Sequence, residues 1–288
     1  MPLGAQQEKL SQTLQQIIIN RVKSGNLVLP VQSKLGQELG QLLEEPKTDL
    51  PRLTKMIERD PIITAHVIKM TNSALHRRSG KIDSFAQAVE HLGFRNIKNV
   101  VMNAISRTIF ISHDARINST VQGMIEHSQA VALLSRNVAG ISGQVDAEPA
   151  YVAGLLHDSG KLVTAAYLLE FERSLPPREA LDWITYDEWM AVINDSHRAI
   201  GVAVIQGWGL PEILVRVLEQ KDDYDTDDKM SPLNVVLFSN ALTKREGLYE
   251  GECDQNDVNS MIMIGKSLLG LTGEVISGLT REINDHIF

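Results

Sequence analysis

Leu, Ile, Val, Ala and Met recur at spacings of three and four through most of the chain, the period of an amphipathic helix. No stretch alternates apolar and polar residues between Asn-Gly or Asp-Gly turns, so the pattern offers no strand and predicts an all-α fold. Leu10, Leu14, Ile17 and Ile18 form one stripe over residues 5–23, which Ser24-Gly25-Asn26 ends. A second helix fits residues 31–43 and stops at Glu45-Pro46. Asp49-Leu50-Pro51 and Asp60-Pro61 each set a cap before a proline near the first helical position. They open one helix with Leu53, Met56 and Ile57 inward and another carrying Ile62, Ile63, His66, Val67 and Met70. Ser84 caps a helix that Gly93 closes, and the next contains Ile97, Val100, Val101, Ala104 and Ile105. Later helices fit 118–140, 147–169, 185–207, 211–220, 232–246, 257–270 and 274–286.

The 288 residues suffice for one large or two modest domains. With 43% hydrophobic and 22% charged residues, a disordered or collagen-like chain is excluded. Lys plus Arg number 28 against 36 Asp plus Glu, a formal charge of −8, which argues against a nucleic-acid partner held by phosphate contacts. No apolar run approaches the roughly 18 residues of a membrane span, and MPLGAQQEKL has no signal-peptide core. Cys253 is alone and cannot form an internal disulfide, so the chain reads as soluble and cytoplasmic, with no membrane partner.

Charge is unevenly spread. Residues 61–110 carry a net +5, from Lys69, Arg77, Arg78, Lys81, Arg95, Lys98 and Arg107 against Asp83 and Glu90. Within them, His76-Arg77-Arg78-Ser79-Gly80-Lys81 reads either as an anion-binding loop or as a solvated one. The run from Lys221 to Asp228 reads as a solvated loop.

Candidate chemistry lies in His157-Asp158-Ser159-Gly160-Lys161, which follows the apolar segment 151–156. An adjacent His and Asp on a buried helix are costly to desolvate unless something pairs them, and a divalent metal ion would do so. On a helical wheel His127 falls in one arc with Val131, Leu134 and Val138, and His197 borders the face of Ile193, Ile200 and Val204. Either histidine alone reads equally as a hydrogen-bonded core residue. If the helix continues through Lys161, its ammonium either contacts a phosphate or pairs with Asp158. Gly154 and Gly160 read as sites of close helix approach.

His127 in H-S-Q-A-V-A and H-D-S-G-K at 157–161 resemble the HD superfamily of metal-dependent phosphohydrolases. Leu29-Pro30, R-D-P at 59–61, N-S-A at 72–74, A-V-E-H-L-G at 88–93 and W-G-L-P at 208–211 narrow the resemblance to the HDOD domain, over about residues 27–245. The chain then divides into the N-terminal helix, to residue 26, and what the resemblance implies: a helical subdomain over 27–110 and an HD-like bundle over 111–288. The resemblance also implies a bacterial signalling module related to the HD and HD-GYP phosphodiesterases, with another signalling protein as partner and a nucleotide as ligand.

Position by position, His127, His157 and Asp158 match the metal residues of HD enzymes, and His197 matches a histidine of HD-GYP and many HDOD relatives. Gln220-Lys221 stands where related sequences often have a His-His pair, and Asn240 stands at the final metal-binding Asp. A carboxamide there removes a negative charge from beside a dication. The remaining set suits a weakly bound or absent Fe, Mn, Zn or Ni ion better than a two-metal centre. The expectation is therefore a degenerate, noncatalytic metal site; the alternative is a metal-dependent phosphohydrolase acting on a nucleotide or cyclic nucleotide.

Overall fold

The helix starts and stops encoded in the sequence reappear in the computed structural model, which describes residues 3–24, 38–39, 41–42, 50–72, 82, 84–105, 112–176, 183–219 and 223–287. Among these residues there is no strand, and twelve helices follow one another. They are α1 (Leu3–Lys23), α2 (Leu50–Ile57), α3 (Pro61–Asn72), α4 (Phe85–Ile105), α5 (Ala115–Ser142) and α6 (Ala147–Leu156). Next come α7 (Ser159–Ser174), α8 (Tyr186–Gly207), α9 (Glu212–Glu219), α10 (Pro232–Arg245), α11 (Gln255–Leu268) and α12 (Gly273–Ile287). Most of the helix expected over 31–43, Leu29-Pro30, the basic loop 76–81 and Gln220-Lys221 lie outside the described residues.

Of the three predicted caps, Asp60 and Ser84 form and Asp49 lies outside the described residues, while Thr185 adds a cap beyond those expected. Asp60 accepts the Ile63 amide at 2.8 Å, Ser84 Oγ accepts the Gln87 amide at 3.2 Å, and Thr185 with Glu188 closes a capping box at the start of α8. Gly93 (φ 71°, ψ 161°) breaks α4 into two segments, as its position after the Ala88–Leu92 run predicts. One expectation is corrected: residues 147–169 are two helices. Asp158 leaves helical geometry (φ −111°, ψ 16°), and α7 begins one residue later. The His157 ring N–H reaches back to the Gly154 carbonyl at 2.8 Å, the acceptor a continuing helix would offer to the Asp158 amide.

The residues form two compact units, each discontinuous in sequence: Met1–Gln122 with Asp158–Pro211, and Gly123–His157 with Glu212–Phe288. In the first unit α7 packs on α8, α1 packs on both, and α4 packs on α2 and α3. Ile18, Leu53, Ile57, Ile63, Ile68, Phe85 and Trp189 are fully buried there. Trp208 of the W-G-L-P segment lies against α3, with the His66 ring 4.9 Å and Lys69 Nζ 4.7 Å from its ring. The approach of α7 to α8 requires Gly160, since a Cβ at this position would overlap the His197 carbonyl.

In the second unit α10 packs on α6, α9 and α11. Its core joins Val138, Val235, Phe238, Leu242, Val258, Ile262, Leu279 and Ile283. Gly154 lets α6 approach α5, where a Cβ would stand 2.9 Å from the Val131 carbonyl. The acidic loop before α10 is more ordered than a solvated charge run. Fully buried Asn234 accepts the Asp225 amide and donates to the carbonyls of Asp225, Asp228 and Lys229, all at 2.8–3.1 Å. Among the described residues no helix is long and apolar enough to cross a membrane.

Two opposite effects of adding one methyl group follow. Gly160→Ala is expected to destabilise the fold by about 2–3 kcal/mol through forced separation of α7 and α8. Gly140→Ala, in α5 with nothing near its added Cβ, is expected to stabilise by about 0.5–1 kcal/mol. Urea unfolding monitored by circular dichroism checks both signs. The same measurement on Asn234→Ala, which strands several backbone groups of the loop, is expected to show a loss of about 2–3 kcal/mol.

Candidate metal centre

His127 sits midway along α5 and is only 2% exposed, so its imidazole must find partners inside the second unit. One is a backbone carbonyl placed by the turn that ends α10. Gly247 there has a φ of 84°, which allows its amide to bond Lys244 O and the Leu248 amide to bond Thr243 O, a Schellman closure. The turn presents the Leu248 carbonyl to His127 Nδ1 at 2.7 Å, and a carbonyl only accepts, so the ring nitrogen donates. The following residues lie along α5: the Tyr249 ring meets His127 edge-on at 5.7 Å, and the Glu250 side chain packs on Gly123. Burial, and then the charge of Glu126, raise the Glu250 carboxyl above its ordinary value.

His157, at the end of α6, is held in the same way, with Nδ1 donating to the Gly154 carbonyl. Both rings therefore carry their proton on Nδ1 and turn Nε2 inward, and the two Nε2 atoms stand 3.2 Å apart. Two lone pairs at that distance need a proton or a cation between them. Two nitrogens each about 2.0–2.1 Å from a shared tetrahedral ion are roughly 3.3 Å apart, so the pair fits a transition metal without rearrangement. A carbonyl on the far nitrogen is also the usual device for orienting a metal-binding imidazole.

Asp158 follows His157 directly and belongs to the first unit. Although it is the N-cap residue of α7, its carboxylate makes no cap bond. It pairs instead with Lys161 Nζ at 2.6 Å, the two side chains being 15% and 8% exposed. Of the two roles the sequence leaves open for Lys161, the structure shows the pairing. His197 lies in the same unit, half-buried on α8, and its Nδ1 donates to the Asn194 carbonyl at 2.8 Å. Burial pushes its imidazole below the ordinary value, with Asp158 opposing and Lys161 adding to the shift.

Asn240, on α10 in the second unit, is half-buried, and its Oδ1 has no hydrogen-bond partner among the described residues. It lines a cavity of about 390 Å³ with Leu237, Lys244, Tyr249 and Met261. Asn240 is the residue that the resemblance matches to a metal-binding Asp. The backbone partners of the two histidines, Leu248 and Gly154, carry no side-chain signal; Gly247 after Lys244-Arg245-Glu246 is the one sequence cue to the turn that supplies the first.

The sequence matches the HDOD domain over residues 29–224. It is 25% identical over 215 residues to an uncharacterized protein of Treponema pallidum (strain Nichols), covering 70% of this chain and 40% of that protein. It is 39% identical over 61 residues to the uncharacterized protein YuxH of Bacillus subtilis (strain 168), covering 21% of this chain and 15% of that protein. The chain therefore spans less than half the length of these curated relatives. Among solved structures, the MmoQ response regulator of Methylococcus capsulatus str. Bath shares the fold, with a TM-score of 0.67 at 17% identity, covering 88% of this chain and 98% of that one. Since the family match takes in well over half of its residues, the chain belongs to the HDOD domain family.

Proposed function

We propose that this chain is a regulatory HDOD module of bacterial signal transduction, acting in the cytoplasm on another signalling protein, and that His127, His157 and Asp158 hold one divalent transition metal without catalysing hydrolysis. The observation that carries the metal reading is the 3.2 Å approach of two Nε2 atoms whose tautomers are both fixed by backbone carbonyls. Asp158 joins the set because its carboxylate and one ring nitrogen of each histidine lie within 4.8 Å of one another. His197 is the candidate for a further ligand.

A bound Zn, Fe, Mn or Ni ion would supply Lewis acidity at this point. What the chain's own residues supply argues against turnover. The carboxylate of Asp158 is already paired with Lys161, and the residue that the resemblance matches to a further metal-binding Asp is Asn240, whose side-chain oxygen carries no charge. Such a set is short of the anionic donors that bring two dications together. The fold shared with MmoQ, a response regulator, supports the regulatory reading.

Elemental analysis of protein purified without added metal, then reloaded with Zn, Fe, Mn or Ni, is expected to find about one ion per chain, lost in His157→Ala. Bis-p-nitrophenyl phosphate and cyclic dinucleotides are expected to remain intact under the same conditions. Two ions per chain, with hydrolysis abolished by Asp158→Ala, would establish a phosphohydrolase instead.

A further inference from the structure

The Asp158–Lys161 pair does something that neither helix capping nor metal binding requires. An aspartate at an N-cap ordinarily accepts amides of the first helical turn, yet the carboxylate of Asp158 makes no such bond. It is held at 2.6 Å by an ammonium whose side chain is 8% exposed. Lys161 has little freedom to swing into solvent. It follows Gly160, the residue at which α7 meets the His197 backbone so closely that no Cβ fits. The pair is therefore part of a packed helix interface, in a region where charge is poorly screened.

We infer that Lys161 is a positioning residue of the metal centre, which fixes the Asp158 carboxylate and weakens it as a ligand, so that metal affinity is held below what the donor set alone would give. This rests on the metal reading proposed above. The charges explain the sign. The Asp158 oxygen held at 2.6 Å by the Lys161 ammonium has to be shared with any cation that it binds, and that sharing lowers its donor strength. An ordinary structural ion pair would act in the opposite sense: its loss would loosen Asp158 and weaken metal binding.

The test measures Zn²⁺ affinity by competition with a chromophoric chelator, and thermal stability of the metal-free protein, on the full chain. Lys161→Met keeps the apolar stem and removes the charge. It is expected to lower the melting temperature of the metal-free protein and to tighten Zn²⁺ binding about tenfold or more, an effect similar in size and opposite in sign to that seen when supporting partners of metal ligands are removed. Lys161→Gln, which retains a neutral donor, is expected to tighten it less and serves if the methionine variant does not fold. In an Asp158→Asn background, replacing Lys161 is expected to leave Zn²⁺ affinity unchanged, because Lys161 acts through Asp158. Wild-type protein that takes no Zn²⁺ overturns the metal centre itself. Protein that binds Zn²⁺ but loses affinity in the Lys161 variants, or gains it equally without the Asp158 carboxylate, overturns the role of Lys161 alone.

Discussion

Two imidazoles pinned in the same tautomer are the constraint on which the centre depends. A histidine in a helical core ordinarily satisfies both nitrogens with whatever is near. Here each Nδ1 is committed to a carbonyl, Leu248 for His127 and Gly154 for His157, and each Nε2 is turned toward the other. The close approach of α5 and α6 at Gly154, the glycine turn that ends α10, and the end of α6 at Leu156 all serve that arrangement. Moving any of them would change which nitrogen carries the proton, and with it what the pair can bind.

The string H-D-S-G-K acquires a reason for each of its informative positions. His157 ends one helix by bonding its own last turn, and Asp158 stands at the break between helices. Gly160 admits the backbone of α8, and Lys161, one turn on, reaches back to Asp158. The spacing belongs to a turn joined to a helix.

The fold class was legible because helical periodicity and capping residues are local signals. Asp60, Ser84 and Gly93 act where their chemistry says they should. Burial of His127 was legible from the apolar arc it shares with Val131, Leu134 and Val138. The break at residues 157–158 was not, because it depends on a histidine ring bonding a backbone carbonyl within an otherwise apolar, helix-favouring run. Nor was the order of the acidic loop. It rests on Asn234, nine residues from the amide it accepts and indistinguishable in sequence from any other polar residue near a helix start. The Leu248 carbonyl lies 121 residues from His127, beyond the reach of any local pattern.

The tautomers themselves can be observed. Long-range ¹H–¹⁵N correlation spectra of the histidine rings, recorded during a Zn²⁺ titration, separate Nδ1 from Nε2 on each residue. Movement of the Nε2 signals of His127 and His157 together, with protonated Nδ1 on both rings throughout, is the predicted result. Coordination through Nδ1, or a response from only one of the two rings, would contradict it.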